Sequence, residues 1–419
     1  MIKRIFPILI LLFATPVWAN TQVHLSGMST TAVNVAATTY TALNGTGTGT
    51  TQFARACPAA DAGNITYMKA CVTVDPANGA GVQSVTFTEQ VALVDSSTTC
   101  TITEGDSDLC CESSTASAYT AGQALLIEVT PANTPAAANF TVVTHTVSST
   151  ANKLFLCANE SGNADVTNVE YNPWVPGQNG TTENNVQIPF PFDTTFIGLY
   201  CQSSAPASAG DTYTMTIMEN GAAVADISCA ISGGTATTCN DTSSTLTGVA
   251  GDVYSMRITP NSTPDAVIVA CSYGFTNTVG GFMWSGGTQT NYADAISTFY
   301  HSPVGVSTYS ATESDKTNKT SAVTLRSAYG ALFVAPDNGA LEQGYTYTIR
   351  DDAASTGCEF FISEAEITDS DTACTDVIAV DSAVGYQLAP TLVPVATGGW
   401  VSVSAILTSE AARRVILTQ

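Results

Sequence analysis

Positively charged side chains are scarce in this chain. Lysine and arginine together number 12, against 35 aspartate and glutamate residues, and the formal net charge is −23. The few cations are spread along the sequence and form no basic patch. Because nucleic-acid phosphates and anionic lipids both repel such a chain, we expect no nucleic-acid partner.

Long apolar runs are also missing, apart from a short one at the start. The first residues carry two positive charges and an apolar stretch over 5–13, and they end with the small residues Val17 and Ala19 at the positions that a signal peptidase reads. This pattern predicts a cleaved signal peptide over 1–19 and a mature chain that starts at Asn20. We therefore expect a secreted, extracellular (cell-surface) protein without membrane insertion.

The residues and motifs of common catalytic sites are few. The chain has three histidines, His24, His145 and His301, which lie far apart in the sequence. A catalytic triad needs a histidine beside a nucleophile and a carboxylate, so we predict that these three are ordinary surface residues. There is no G-x-S-x-G, H-E-x-x-H or P-loop sequence. We expect no enzyme activity and no cofactor.

Metal-binding patterns are absent or weak. No C-x2-C pair occurs, which argues against zinc. Asp106 and Asp108, and again Asp369 and Asp371, stand as pairs shortly before a cysteine. Calcium favours clustered oxygen ligands, but neither pair fits an EF-hand loop. We predict solvated turns at the tips of cysteine hairpins, and no metal.

Cysteine, by contrast, is plentiful. Twelve cysteines in a secreted chain predict disulfides. The predicted pairs are Cys100–Cys110, Cys229–Cys239, Cys358–Cys374 and Cys201–Cys271, with Cys111 as an alternative partner of Cys100. The first three each close a short loop, which suits a disulfide across a hairpin. The sequence leaves the pairing of Cys57, Cys71, Cys111 and Cys157 open.

The cysteines also mark an internal repeat with a period of about 130 residues. Ala250-Gly251-Asp252 and the Thr-Pro pairs after it have counterparts in Ala121-Gly122-Gln123 and its own Thr-Pro pairs. Tyr40, Tyr171 and Tyr300 recur at a similar spacing. The predicted organisation is a signal peptide at 1–19, three β-sandwich repeats at 20–150, 151–279 and 280–408, and a C-terminal tail at 409–419.

Strand signals dominate every repeat. The segment Tyr213-Thr214-Met215-Thr216-Ile217 alternates with period two, and Asn220-Gly221 after it favours a tight hairpin turn. Each repeat holds about eight to ten short strands, a number that favours jelly-roll sandwiches over seven-stranded immunoglobulin units. We therefore predict an all-β fold of three tandem antiparallel β-sandwich (jelly-roll-like) domains, with immunoglobulin-like sandwiches as the alternative.

These motifs resemble tandem jelly-roll domains of phage virion or tail proteins and of bacterial secreted surface proteins. The resemblance rests on the segment 213–221, on Cys-x-Ile-Ser and Cys-x-Asp-Thr around Cys229 and Cys239, and on Ala250-Gly251-Asp252. It implies the fold and an exposed structural or recognition role, and it carries over no catalytic residue. The signal peptide favours the cell-surface group.

Two functions follow as expectations. The first is a non-enzymatic structural protein, a surface or extracellular filament subunit in which tandem sandwiches form a stiff rod and the partner is the chain itself, as a homopolymer. The alternative is an adhesin or carbohydrate-binding, lectin-like protein that binds cell-surface glycans. For the second, Trp174 in a proline-rich loop is the candidate ligand contact, because an exposed aromatic ring stacks on sugars. Trp284 and Trp400 are expected in the core.

The tail is the remaining expectation. Residues 413–418 read Arg-Arg-Val-Ile-Leu-Thr, a β-prone run beyond a unit that we predict to end near Leu407. The run either packs back on its own unit or adds a strand to a neighbouring subunit.

Overall fold

The structure is a computed structural model. It describes residues 21–26, 36–43, 48–79, 81–150, 153–159, 162–174, 179–277, 281–288, 298–303, 305–307, 310–315, 317–320, 322–332, 344–363, 368–380, 382–390 and 401–409. The predicted signal peptide, Asn20, Trp400 and residues 410–419 lie outside these ranges.

The described chain is built of strands, which we assign to three units. Unit 1 contains β1 (Thr21–Ser26), β2 (Thr39–Thr41), β3 (Cys57–Pro58), β4 (Gly63–Val72), β5 (Ser84–Val91), β6 (Val94–Thr103), β7 (Cys110–Ser113), β8 (Ser117–Tyr119), β9 (Ala124–Ala132) and β10 (Phe140–Ser148). Unit 2 contains β11 (Leu154–Asn159), β12 (Glu170–Asn172), β13 (Ile188–Pro189), β14 (Thr194–Ser203), β15 (Thr212–Glu219), β16 (Ala222–Ser232), β17 (Thr238–Gly248), β18 (Val253–Asn261) and β19 (Val269–Asn277). Unit 3 contains β20 (Phe282–Thr288), β21 (Phe299–His301), β22 (Gly305–Ser307), β23 (Asn318–Lys319), β24 (Val323–Leu332), β25 (Gly344–Asp351), β26 (Ala354–Ser363), β27 (Thr368–Asp371), β28 (Asp376–Ile378), β29 (Ala383–Pro390) and β30 (Val401–Ser409). Three single-turn 3-10 helices occupy Phe53–Arg55, Glu183–Asn185 and Glu313–Asp315.

Each unit pairs its strands into two sheets with the same order. In unit 2 the orders are β11-β19-β14-β17 and β12-β18-β15-β16, in unit 1 β1-β10-β4-β7 and β2-β9-β5-β6, and in unit 3 β22-β20-β30-β24-β27 and β21-β29-β25-β26. If the eight principal strands of a unit are numbered along the chain, one sheet reads 1-8-3-6 and the other 2-7-4-5. These two interlocked Greek keys are the jelly-roll order. The all-β prediction is confirmed, and the paired strands are antiparallel except for β20 and the additional strand β22 of unit 3, which are parallel. The order favours the jelly roll over the immunoglobulin alternative.

The alternating pattern of the sequence fills the space between the sheets. Tyr213, Met215 and Ile217 of β15 are fully buried, as the period-two pattern predicts. In the neighbouring strand β18, the buried residues Ile258 and Met256 lie opposite Met215 and Ile217. Asn220 and Gly221 both have positive φ, at 50° and 80°, which makes the predicted tight turn between β15 and β16. Local alternation and turn chemistry therefore set the register of this hairpin.

The three units form a closed ring. β3 of unit 1 contacts β11, β14 and β19 of unit 2, and β13 of unit 2 contacts β24 and β30 of unit 3. β23 of unit 3 contacts β10 of unit 1, while β1 contacts β20 and β30. The expectation of a stiff linear rod is therefore wrong, because unit 3 packs against unit 1 as well as against unit 2.

Unit 3 also ends later than the sequence predicts. β30 runs to Ser409, which is paired with Val323 of β24. The strand therefore extends past Leu407 and past the predicted boundary at 408, because β24 offers it a partner along its full length.

Candidate functional site

The junction between units 1 and 2 is held by a disulfide and by side-chain hydrogen bonds. Cys57 of β3 forms a disulfide with Cys157 of β11, and both residues are fully buried. The pair spans a sequence separation of 100 residues and joins one unit to the next. The spacing of these two cysteines does not predict the bond, because they belong to different repeats.

Gln22 of β1 supports the same junction from unit 1. Its side-chain nitrogen donates to the Phe155 carbonyl at 2.6 Å, and its side-chain oxygen accepts from the Phe155 N–H at 3.0 Å. The Gln22 side-chain amide thus forms hydrogen bonds with both the N–H and the C=O of Phe155 on the edge strand β11. The backbone of a neighbouring strand would make the same two bonds. This contact covers part of a sheet edge and fixes β1 against unit 2.

A tyrosine, a glycine and an aspartate complete the junction. Gly122 lies so that a Cβ atom there would stand 3.8 Å from the Tyr200 ring. Burial, and then the charge of Asp61, raise the pKa of the Tyr200 hydroxyl. Asp61 is itself held by hydrogen bonds from Ser148 and Thr150.

The next junction repeats this arrangement. A Cβ atom at Gly251 would stand 4.0 Å from the Tyr329 ring, and burial followed by the charge of Asp193 raises the pKa of Tyr329. Gly251 belongs to the Ala-Gly-Asp motif that the sequence repeats, as Gly122 belongs to its counterpart. The repeated motif therefore places the same loop at two successive junctions, while the Cys57–Cys157 disulfide is specific to the first.

The disulfides correct one predicted pair. Cys229–Cys239, Cys358–Cys374 and Cys201–Cys271 are disulfides in the structure. Cys100 is bonded to Cys111 and Cys110 to Cys71, so the predicted Cys100–Cys110 bond is wrong and the alternative partner is the right one. The reason is alternation: Cys110 lies opposite Cys71 of the neighbouring strand β4, and its neighbour Cys111 meets Cys100 of the other sheet.

The Cys229–Cys239 disulfide joins two sheets, and not the two strands of one hairpin as predicted. Cys229 lies on β16 and Cys239 on β17, and these strands belong to the two different sheets of unit 2. The bond therefore joins the sheets of the sandwich at their edge. The chain turns from one sheet to the other between the two cysteines, which the spacing alone does not distinguish from a hairpin.

A cleft of about 320 Å³ opens beside these cysteines, at the junction of units 1 and 2. From unit 1 it is lined by Pro58 and the loop Ala121-Gly122-Gln123, and from unit 2 by Tyr200, Cys201, Thr238, Cys239 and Asn240. The lining combines an aromatic ring, amide and hydroxyl groups, and two sulfur atoms, and it carries no formal charge.

Trp174 does not lie at this cleft or at any exposed surface. It is fully buried, and its ring meets the Tyr273 ring edge-on with a centroid distance of 4.0 Å. The predicted ligand contact is therefore wrong. Its proline-rich loop context suggested exposure, but the side chain packs into the aromatic core of unit 2 with Phe190 and Phe196 around Tyr273.

The three histidines are also buried, which corrects the expectation of surface residues. His24 Nε2 lies 2.7 Å from the Thr146 hydroxyl oxygen, and the His301 ring packs against Tyr386. Burial lowers the pKa of His145 to about 4. The His24 ring also packs against Phe155 of unit 2, with a centroid distance of 5.3 Å. The structure does not bring the three histidines together.

Three of the four carboxylates in the acidic pairs accept backbone hydrogen bonds. Asp106 accepts from the Thr103 N–H in the connection between the two sheets of unit 1. Asp369 and Asp371 lie within β27, not at a turn, and accept from Phe361 and Glu359 of β26. Asp108 has the hydroxyl of the adjacent Ser107 as its partner. These carboxylates thus have local structural roles.

One carboxyl that the sequence analysis did not single out is placed unusually. Glu89 of β5 is fully buried, and neither of its carboxyl oxygens has a hydrogen-bond partner among the described residues. Burial raises its pKa well above the usual range. The equivalent inward positions of β15 and β25 are Ile217 and Ile349. A comparison of the three repeats at this position would have revealed it from the sequence.

The comparisons with known proteins are limited. No known family matches the chain, and no curated protein matches it. A solved structure described as "Structure of PNGF-II in C2 space group" shares 7% identity, covers 79% of this chain and 98% of that chain, and has a TM-score of 0.20. A likeness of this size is too slight to inform the fold or the function. The chain is defined by its own architecture, as an all-β protein of disulfide-bonded sandwiches.

The disulfides bear on the compartment of the protein. All the cysteines fall into six disulfides, which is consistent with an extracellular protein. Among the described residues, no helix has the length and apolarity needed to span a bilayer.

Proposed function

We propose that this chain is a non-enzymatic structural protein of the extracellular space, and that it serves as a rigid subunit of a surface or filamentous assembly. The observation that carries the proposal is the Cys57–Cys157 bond between two units. A protein that works by domain motion needs a free junction, whereas a load-bearing subunit needs a fixed one.

The size of the effect supports this interpretation. In the chain-entropy description, a disulfide that closes a loop of about 100 residues stabilises the folded state by roughly 4–5 kcal/mol. Five further disulfides lie within the units and close shorter loops. Secreted, protease-exposed structural proteins benefit from such cross-links because local opening becomes rarer.

Electron microscopy of the native material tests the proposal. The purified mature chain, kept oxidised and imaged at rising concentration, should form regular filaments or arrays. A matched sample reduced with a thiol and alkylated should lose them. Monodisperse single particles at every concentration in the oxidised sample would contradict the assembly role.

The second candidate is glycan binding, and the cleft at the first junction favours it. An aromatic ring from Tyr200 beside the amides of Gln123 and Asn240 is the kind of lining that neutral sugars contact. A glycan array probed with the mature chain tests this. Binding that is lost in Tyr200→Ala and kept in Tyr329→Ala, the equivalent tyrosine at the second junction, would support an adhesin role.

A further inference from the structure

Cys201 occupies a special position in unit 2. It lies on the inner strand β14 and is directly opposite Cys271 of β19 on one side. On the other side it is directly opposite Cys239 of β17. Cys201 is bonded to Cys271, and Cys239 is bonded to Cys229 of the facing sheet.

The sulfur atoms of these residues are gathered closely. The Sγ atoms of Cys201, Cys229 and Cys239 all lie within 4.8 Å of one another, and Cys271 is bonded to the first of them. Two disulfides therefore lie side by side, with a sulfur of one next to both sulfurs of the other. A thiolate at one of these positions is within reach of a neighbouring disulfide without movement of the strands.

Unit 1 lacks this arrangement at the equivalent positions. By register, the counterpart of Cys201 is Ala70, which is opposite Val142 on one side and Cys111 on the other. The link between the sheets of unit 1, Cys100–Cys111, corresponds to Cys229–Cys239. The other bond of unit 1, Cys71–Cys110, lies one residue further along, where unit 2 has Gln202 and Thr238.

The cleft gives small molecules access to the cluster. Cys201 and Cys239 both line it, although Cys201 is only 2% exposed. Cys271 is fully buried behind them. A low-molecular-mass thiol that enters from the junction of units 1 and 2 therefore meets Cys239 before it meets the Cys271 sulfur.

We propose that unit 2 contains a thiol–disulfide exchange site in which the disulfide migrates from Cys201–Cys271 to Cys201–Cys239. A small thiolate attacks Cys239, forms a mixed disulfide and releases the Cys229 thiolate. A second small thiolate releases Cys239 and leaves as the small-molecule disulfide. The Cys239 thiolate then attacks Cys201, forms Cys201–Cys239 and releases the Cys271 thiolate. Two thiols are oxidised to one disulfide, and one protein disulfide is reduced.

The consequence is local. The Cys229–Cys239 bond joins the two sheets of unit 2, whereas Cys201–Cys239 joins neighbouring strands of one sheet. Migration therefore removes the covalent link between the sheets and keeps a disulfide beside the cleft. The junction of units 1 and 2 becomes sensitive to the thiols of its surroundings.

The variant Cys271→Val tests the exchange without added thiol. Valine occupies the equivalent position of unit 1, as Val142, which is opposite the counterpart of Cys201. The substitution therefore has a precedent within the chain. The variant leaves Cys201 as a thiolate next to Cys229–Cys239, and its attack on Cys239 yields Cys201–Cys239 and the Cys229 thiolate. At about pH 8, near the ordinary thiol pKa of about 8.5, alkylation and peptide mapping should find free thiol on both Cys201 and Cys229. Free thiol on Cys201 alone would overturn the proposal.

The control is Cys374→Ser in unit 3, which leaves Cys358 free and far in sequence from other cysteines. Its thiol should stay on Cys358, which excludes scrambling between molecules as the source of exchange.

The unmodified mature chain provides the second test, which does not depend on the folding of a variant. With limiting glutathione, acid quenching and non-reduced peptide mapping, the first two thiols should be Cys229 and Cys271, together with a Cys201–Cys239 peptide. Retention of Cys201–Cys271 after Cys229–Cys239 has been reduced would contradict the migration. Earlier reduction of any other disulfide would contradict the access through the cleft.

Discussion

At the scale of single residues, the buried carboxyl of Glu89 has the clearest thermodynamic consequence. A carboxyl without hydrogen-bond partners in an apolar core is held in its neutral form, and for this reason its pKa is raised in the folded protein. In the unfolded chain it has the ordinary value of about 4.3. The folded state therefore binds the proton more tightly than the unfolded state does.

The sign of the pH dependence follows. Above about pH 4.3 the unfolded chain loses this proton while the folded chain keeps it, so stability falls as pH rises, by about 1.4 kcal/mol per pH unit, until the raised folded pKa is reached. Glu89→Gln should remove this slope in denaturant titrations between pH 4 and 8. The exposed Glu112, changed to Gln, should leave the slope as it is. An unaltered slope in Glu89→Gln would show that another group causes it.

Replacement of the same residue by its counterpart in the other units should stabilise the fold. Glu89→Ile places the side chain of Ile217 and Ile349 at the equivalent position, and it removes an unsatisfied buried polar group that costs about 1–3 kcal/mol. We expect a gain of that size in chemical unfolding at pH 4, where the carboxyl is mostly neutral in both states. The gain should be larger at pH 7, because the unfolded chain has then lost a proton that the folded chain keeps. A loss of stability would show that the carboxyl has a partner that the described residues do not reveal.

Residue positions could be predicted from the sequence where a local rule decides them. Tyr213 and Met215 are buried as the alternation predicts, because successive strand residues face opposite sides. Trp174 could not be placed in this way, since its burial depends on Tyr273, a residue of a strand far along the chain. Cys157 could not be paired either, because its partner Cys57 belongs to another unit.

At the scale of elements, the three equivalent hairpins form the same turn with different residues. The turn between β25 and β26 has Asp352 and Ala353 at φ 46° and 65°, where the turn of unit 2 has Asn220 and Gly221. Left-handed backbone costs a residue with a Cβ atom roughly 1–2 kcal/mol relative to glycine. Unit 2 therefore has the relaxed form of the turn, and unit 3 has the strained form.

A reciprocal pair of variants tests this difference. Ala353→Gly should stabilise the chain by about 1 kcal/mol, and Gly221→Ala should destabilise it by a similar amount, because each exchanges the residue at the same turn position. Both side chains are exposed, so packing changes little. Melting temperatures of the two variants measure the effect, and shifts of the same sign would contradict the turn argument.

Strand order could be anticipated only as far as the fold class. Short alternating strands and turn residues predict antiparallel sandwiches, and the count of strands favours the jelly roll. The passage of the chain from one sheet to the other between Cys229 and Cys239 was not predictable, because a turn of this length serves a hairpin or a crossing equally well. Only the structure, which assigns β16 and β17 to different sheets, shows that the chain crosses between the sheets at this point.

At the scale of the whole molecule, each junction between units helps to hold the ring closed. Removal of the Cys57–Cys157 bond by the double change Cys57→Ser and Cys157→Ser should cost about 2–5 kcal/mol and lower the denaturant midpoint. The double change Cys358→Ser and Cys374→Ser is the matched control, since it opens a bond within a single unit. Limited proteolysis should cut the first variant between units 1 and 2 and the control within unit 3. Identical cleavage patterns would show that the bond does not hold the junction.

The C-terminal tail provides a test of assembly. A chain truncated after Ser409 keeps the whole of β30, unlike one truncated before it, and should remain folded. If the tail adds a strand to a neighbouring subunit, light scattering of the truncated chain should show no high-mass species while circular dichroism is unchanged. Unchanged assembly would assign the tail to its own unit.

The closed ring is the central claim, and small-angle X-ray scattering of the oxidised mature chain tests it most directly. Measured on the monomer peak of a sizing column, a compact chain of about 400 residues should have a radius of gyration of about 21 Å. Three compact units of about 14 Å each, arranged end to end in a rod, would give a value above about 30 Å. We predict a value near the first figure. A value near the second would contradict the contact between units 1 and 3, and with it the ring.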